Sequence, residues 1–155
     1  MSLFPESSEQ PSGRAVLLSI KPKYANLILA GTKRVELRRS WPSNDIGAMV
    51  IYSSAPVQRL VGIAIINRIE ECDFEALWQL SAANGGGVTY DELKAYIDKK
   101  KKAYGVMIER VAIAEHPADP RSLFPEFTPP QSFLYLTPAD FHRVVKVMFP
   151  SGRAP

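Results

Sequence analysis

"AVLLSIKPKYANLILAGTKRVELRR", from Ala15 to Arg39, changes its hydrophobic period twice, and those two changes decide the fold. Ala15–Ile20 is a short apolar run of strand type. Pro22 suits a first helical position, where its missing N–H is no loss, and Tyr24, Leu27 and Ile28 then recur at helical spacing. Gly31 follows as a C-terminal cap, so the helix is short. From Lys33 to Arg39 the period falls to two. Val35 and Leu37 point one way, and Arg34, Glu36 and Arg38 the other.

Further along, residues 48–54 ("AMVIYSS") and 59–69 ("RLVGIAIINRI") read as strands, the second apolar on both faces as in the middle of a sheet. "DFEALWQL" predicts a helix with Phe74, Leu77 and Trp78 as its apolar stripe. "ANGGG" breaks the chain and reads as a flexible link between helices, since it lacks the lysine and Ser/Thr of a phosphate-binding P-loop. Thr89 and Glu92 then make a capping box, with Val88 and Leu93 as its hydrophobic staple, and the helix is expected to run to Lys99–Lys102. Residues 103–115 predict a long strand whose apolar parity changes near Glu109 and Arg110, the mark of a bulge. The proline-rich stretch 116–131 predicts an ordered surface loop, "SFLYL" a strand, Thr137-Pro138 a turn or short helix, and "RVVKVMF" a final strand. The sum is an α+β domain of five or six strands, in a mixed, curled sheet or small barrel flanked by short helices.

A length of 155 residues is that of one ordinary domain. The polar segment 1–14 reads as a disordered N-terminal tail, 15–149 as the domain and 150–155 as a C-terminal tail. A net charge of +3 permits an anionic partner without requiring one, because clustering matters more than the total. The lone Cys72 excludes an internal disulfide, and with only His116 and His142 beside it there are too few soft ligands for a structural zinc site. No cofactor or metal is expected. No apolar run is long enough for a membrane span, and a reducing, cytoplasmic setting is the default.

The segment "LLSIKPKYANLILAGTKRVELRR", with Gly31, Lys33, Glu36 and Arg38 in a G-x-K-x-x-E-x-R pattern, resembles the start of the ASCH domain. "PPQSFLYL" at 129–136 is similar to the segment that closes many ASCH domains, so the resemblance spans roughly 15–149. It implies a small β-barrel of the PUA-like superfamily, with a cleft beside the first helix lined by the motif. It also implies RNA, or a modified nucleotide within it, as partner. Some members are enzymes, acetylcytidine amidohydrolases or ribonucleases. The amidohydrolases use a lysine, a threonine and a glutamate. Lys33 matches the lysine, but Glu36 stands at the threonine position and "NGGG" where the glutamate is expected.

Chemically, Glu36 and Arg38 share a strand face, where a carboxylate and a guanidinium can pair or share a ligand. Lys33 has the opposite parity and reaches that cleft only from the corner after Gly31. A desolvated lysine can serve as base or nucleophile, whereas a neighbouring Glu36 favours its charged form, so the pair reads as recognition more than catalysis. The bland alternative is a salt-bridged brace at the helix–strand corner. Arg39, Trp41 and Tyr52 are further nucleic-acid-binding candidates, the aromatics as stacking platforms and Tyr52 as the better pocket residue. Lys21, Lys23, Arg34 and the run Lys99–Lys102 could add phosphate contacts, with Tyr104 a third platform; a solvated helix end is the plainer reading of the lysine run. If the cleft is enzymatic, Lys33 and Glu36 would be joined by Ser132, reached through the closing segment with Gln131, in a metal-independent ribonuclease or a nucleoside amidohydrolase.

Overall fold

The computed structural model describes residues 13–43 and 45–152; of the two expected tails, 1–12 and 153–155 lie outside the described residues. Strand β1 (Arg14–Ile20) leads into helix α1 (Pro22–Leu29), then β2 (Val35–Arg38), β3 (Ile46–Ser53) and β4 (Arg59–Cys72). Helices α2 (Phe74–Ala83) and α3 (Tyr90–Ile97) follow, then β5 (Ala103–Ala118), α4 (Pro120–Leu123), β6 (Leu134–Leu136) and α5 (Pro138–Met148).

The six strands form one mixed sheet in the order β2-β5-β4-β3-β1-β6. Only β1 and β3 run parallel; the other neighbours are antiparallel. Central β4 is apolar on both faces because both are covered, and Ile63, Ala64 and Ile65 are buried. The parity change in β5 is a bulge. Ile65 pairs Arg110 and Ile66 pairs Ile108, which leaves Glu109 without an opposite residue. Among the described residues no ladder joins the outer strands β2 and β6, so the sheet is not closed into the expected barrel. A side chain spans that seam instead: Arg38, at the end of β2, donates from Nη2 to the Ser132 carbonyl ahead of β6 at 2.7 Å.

One face of the sheet carries a core of Leu17, Val50, Tyr52, Leu60 and Ile63 under α5, with Leu123 of α4 and the ring of Phe127. The other carries Val16, Leu18, Met49 and Val106 against Ile28 of α1, and a smaller cluster where Leu77 of α2 and Leu93 and Ile97 of α3 meet Val35.

Three segments depart from the expectations. The expected final strand is the C-terminal half of α5. Thr137 caps it through Asp140 N–H at 3.0 Å, Pro138 opens it, and Phe141, Val144 and Met148 are buried at helical spacing. The valines around Val144 satisfy both periods, and packing on the sheet chooses the helix. Helix α3 stops at Ile97, because Asp98 takes φ +52 and turns the chain out of the helix; Lys99–Lys102 lie beyond it. The proline-rich stretch contributes the end of β5 and the short α4 before it becomes loop. No helix of the described residues is long and apolar enough to cross a membrane.

Candidate functional site

The corner between α1 and β2 builds the site. Gly31 adopts φ +81 after the helix, and the Leu27 carbonyl accepts from both Thr32 and Lys33 N–H at 3.0 Å, so the corner is tightly tied. Lys33 stands just before β2, as its parity requires, and is only 3% exposed. Its Nζ donates to the Gly86 carbonyl and lies 5.3 Å from the centre of the Tyr24 ring. Burial lowers the Lys33 pKa below its ordinary value, and the negative charge of Glu36 opposes part of that shift.

Glu36 is 5% exposed, and its Oε2 accepts from Arg38 Nη1 at 3.1 Å. Arg38 therefore holds the carboxylate with one arm and the seam to Ser132 with the other. Lys33, Glu36 and Arg38 line one cleft of about 450 Å3. Ser19 and Lys21 reach it from the end of β1, Tyr24 from α1, Glu92 and Tyr96 from α3, and Gln131 from the closing segment. Glu92 is already committed, since its Oε1 accepts the Thr89 N–H of the capping box at 2.8 Å. A cleft this size fits a nucleobase or nucleotide.

The "NGGG" loop links α2 to α3, as expected, and is tied by hydrogen bonds against the Lys33 corner. Arg34 N–H donates to the Asn84 carbonyl at 2.9 Å, and Gly86 N–H to the Ser81 carbonyl at 2.9 Å. Gly85 sits at φ +64, where a Cβ would fall 2.1 Å from the Thr32 carbonyl oxygen, and a Cβ on Gly86 would fall 1.8 Å from Ser81 Oγ. Only a chain without side chains can lie this close to the Lys33 corner.

The other sequence candidates are dispersed. Tyr52, expected to be the better pocket residue, is in the opposite core with its ring 5.1 Å from Phe127 and does not line the cleft. β3 alternation sends it to the α5 side. Trp41 is half-buried against the α1-side core, its Nε1 buried without a hydrogen-bond partner. Arg39 is exposed and off the cleft. Ser132 gives its carbonyl to Arg38, while its hydroxyl lies 3.5 Å from Ser40 Oγ outside the cleft. Burial, then Glu70 and Asp73, push the Cys72 thiol pKa up, so it is a poor nucleophile. Among the described residues no group of three His, Cys, Asp or Glu could hold a metal ion.

Sequence reasoning missed Tyr24, Tyr96 and Gly86. Tyr96 lies four residues after Glu92 on the capping-box helix, a spacing that puts both on one face. Gly86 had no legible signal beyond its neighbours.

Three comparisons bear on this arrangement. The ASCH domain matches residues 18–114, which covers both the Lys33 corner and the "NGGG" loop. The chain belongs to the ASCH domain family. It is similar to an ASCH domain-containing ribonuclease of Zymomonas mobilis, 24% identical over 144 residues, with 88% of this chain and 94% of that relative covered. The fold is shared with the crystal structure of ASCH from Zymomonas mobilis at a TM-score of 0.79 and 23% identity, over 86% of this chain and 95% of that one. The N-terminal domain of Staphylothermus marinus McrB has a related fold, with a TM-score of 0.52 at 9% identity over 84% and 92% of the two chains. The family expectation from the sequence is thereby met.

Proposed function

We propose that this ASCH domain binds single-stranded RNA by taking one unpaired nucleotide into the cleft of Lys33, Glu36 and Arg38. The carrying observation is a buried, loop-held Lys33 beside the Arg38-held Glu36 on the floor of a nucleotide-sized cleft. Lys33 donates to a base acceptor, Glu36 accepts from a base N–H, and Arg38 keeps the carboxylate aimed. Half-buried Tyr24 and exposed Tyr96 provide π-faces at the edge. Arg39 and Trp41 serve the rim at most, and a direct role for Tyr52 would require its ring to leave the core. The setting we assign is cytoplasmic.

Fluorescence anisotropy with a labelled single-stranded oligonucleotide tests this. Affinity should fall with salt and be lost in Lys33→Met. Salt-independent binding, or full affinity in Lys33→Met, removes the cleft from the account.

A second reading, ribonuclease action at the same cleft, is favoured by the likeness to a ribonuclease over 94% of that relative's length. With its pKa lowered, Lys33 as the neutral amine can take the proton of a 2′-hydroxyl. The 2′-oxygen attacks the adjacent phosphorus and the bond to the 5′-oxygen breaks. The products are a 2′,3′-cyclic phosphate and a 5′-hydroxyl, whose proton comes from solvent. Chelator-resistant cleavage with those termini, absent in Lys33→Met, would establish this reading; intact RNA after long incubation would leave binding alone.

A further inference from the structure

The charges of the cleft floor are consumed within it. Arg38 spends one arm on Glu36 and the other on the Ser132 carbonyl, and Lys33 is held by the Gly86 carbonyl. The floor can read a nucleotide but has little positive charge left for a phosphate backbone. Exposed Lys21 is left at the cleft's rim, and the densest run of exposed cations is Lys99–Lys102.

Three observations join that run to the cleft. First, α3 is a wall of the cleft, and Tyr96, near its C-terminal end, lines it while 42% exposed. Lys99 follows three residues later, within about 10 Å along the chain. Second, the positive φ of Asp98 ends the helix there, so the four lysines are a separate exposed segment following the helix that lines the cleft, instead of its last turn. Third, the ion pairs among the described residues all use arginines, and none of Lys99–Lys102 is matched to a carboxylate. The nearby acids on β4 are engaged, Glu70 by Arg68 at 2.9 Å and Glu71 by the Tyr104 hydroxyl.

We propose that Lys99–Lys102 form a phosphate rail that leads from the Tyr96 side of the cleft, so that the ligand is a strand several nucleotides long whose backbone is held outside the cleft. This inference rests on the reading of the cleft as a nucleotide site, and it adds a partner requirement: chain length, read through phosphates and without regard to base sequence.

The test compares a dinucleotide with a ten-residue single-stranded RNA, on the full chain and on the variant with Lys99, Lys100, Lys101 and Lys102 all replaced by glutamine. All four side chains are exposed, and an unchanged melting temperature verifies the fold. The variant should bind the ten-residue strand roughly ten- to a hundredfold more weakly, with the log–log salt slope reduced by about 0.7 for each phosphate contact removed. Dinucleotide affinity should not change. Wild-type affinity of the variant for the long strand, with an unchanged salt slope, overturns the rail and leaves the cleft reading standing. An equal loss for the dinucleotide also overturns it, since the lysines would then act on the cleft itself. A hexaglutamate peptide that displaces the long strand as well as unlabelled RNA does would overturn it too, because the run would then be a general polyanion patch. If the wild type binds neither RNA, the reading of the cleft fails first, and the rail with it.

Discussion

The two faces of the sheet solve opposite problems. On the α5 side, Leu17, Val50, Tyr52, Leu60 and Ile63 meet Phe141, Val144 and Met148 in an almost wholly apolar contact. On the α1 side, the same sheet borders a cleft where Lys33 and Glu36 are buried although both are chargeable. Apolar burial is non-directional and tolerates rearrangement, whereas a buried charge survives only with its partners in place. The first face should therefore set how stable the protein is, and the second what it binds.

The largest expected effect tests the apolar face. Tyr52→Ala should cost about 3–5 kcal/mol by emptying a filled core position, measured by denaturant unfolding. RNA affinity of the folded fraction should be unchanged; lost affinity at full stability would mean that Tyr52 belongs to the site. Next comes the ion pair. Arg38→Met strands Glu36 and opens the seam to Ser132, for a loss of about 2–3 kcal/mol. The double variant Arg38→Met with Glu36→Met should recover most of that stability while RNA binding stays lost. Independent, additive losses would show that the two side chains do not work as a pair.

Gly86→Ala should cost about 1–3 kcal/mol, because its Cβ would meet Ser81 Oγ and push the loop away from Lys33. Its RNA affinity should fall by more than its stability explains. Retention of full affinity would mean that the Gly86 carbonyl does not position Lys33.

The smallest change in stability is expected from Lys33→Met, which should be neutral or slightly stabilising because a desolvated ammonium is removed. Burial lowers the Lys33 pKa, so between its folded and unfolded values the folded chain binds fewer protons than the unfolded one. Stability should rise with pH through that alkaline window and be lost as pH falls through the folded pKa. Lys33→Met should flatten this part of the profile, and an unchanged slope in the variant would show that Lys33 is not the group responsible.

Much of this was legible in the sequence because the rules involved are local. Pro22, Gly31, the Thr89–Glu92 box and the parity break at Glu109 each report on a few consecutive residues, and each stands where expected. The Lys33, Glu36 and Arg38 set was legible because a corner and a strand face bring them together within six residues. The stretch around Val144 was misread because β-branched side chains fit either period until Thr137 caps a helix that has a sheet to pack on. That the "NGGG" link between α2 and α3 packs against the Lys33 corner was not legible, because it depends on Thr32 and Ser81, residues that the folded chain alone brings against it.

By itself, then, the sequence determined the α+β character, most element boundaries and the charged triad, all set by short-range sterics, hydrogen bonding and hydrophobic period. Tertiary structure alone decided that the sheet stays open with Arg38 across its seam, that Tyr52 faces the core, and that a glycine carbonyl holds the buried lysine. Each of these is a contact between residues distant in sequence, and no local pattern encodes which partner closes upon which.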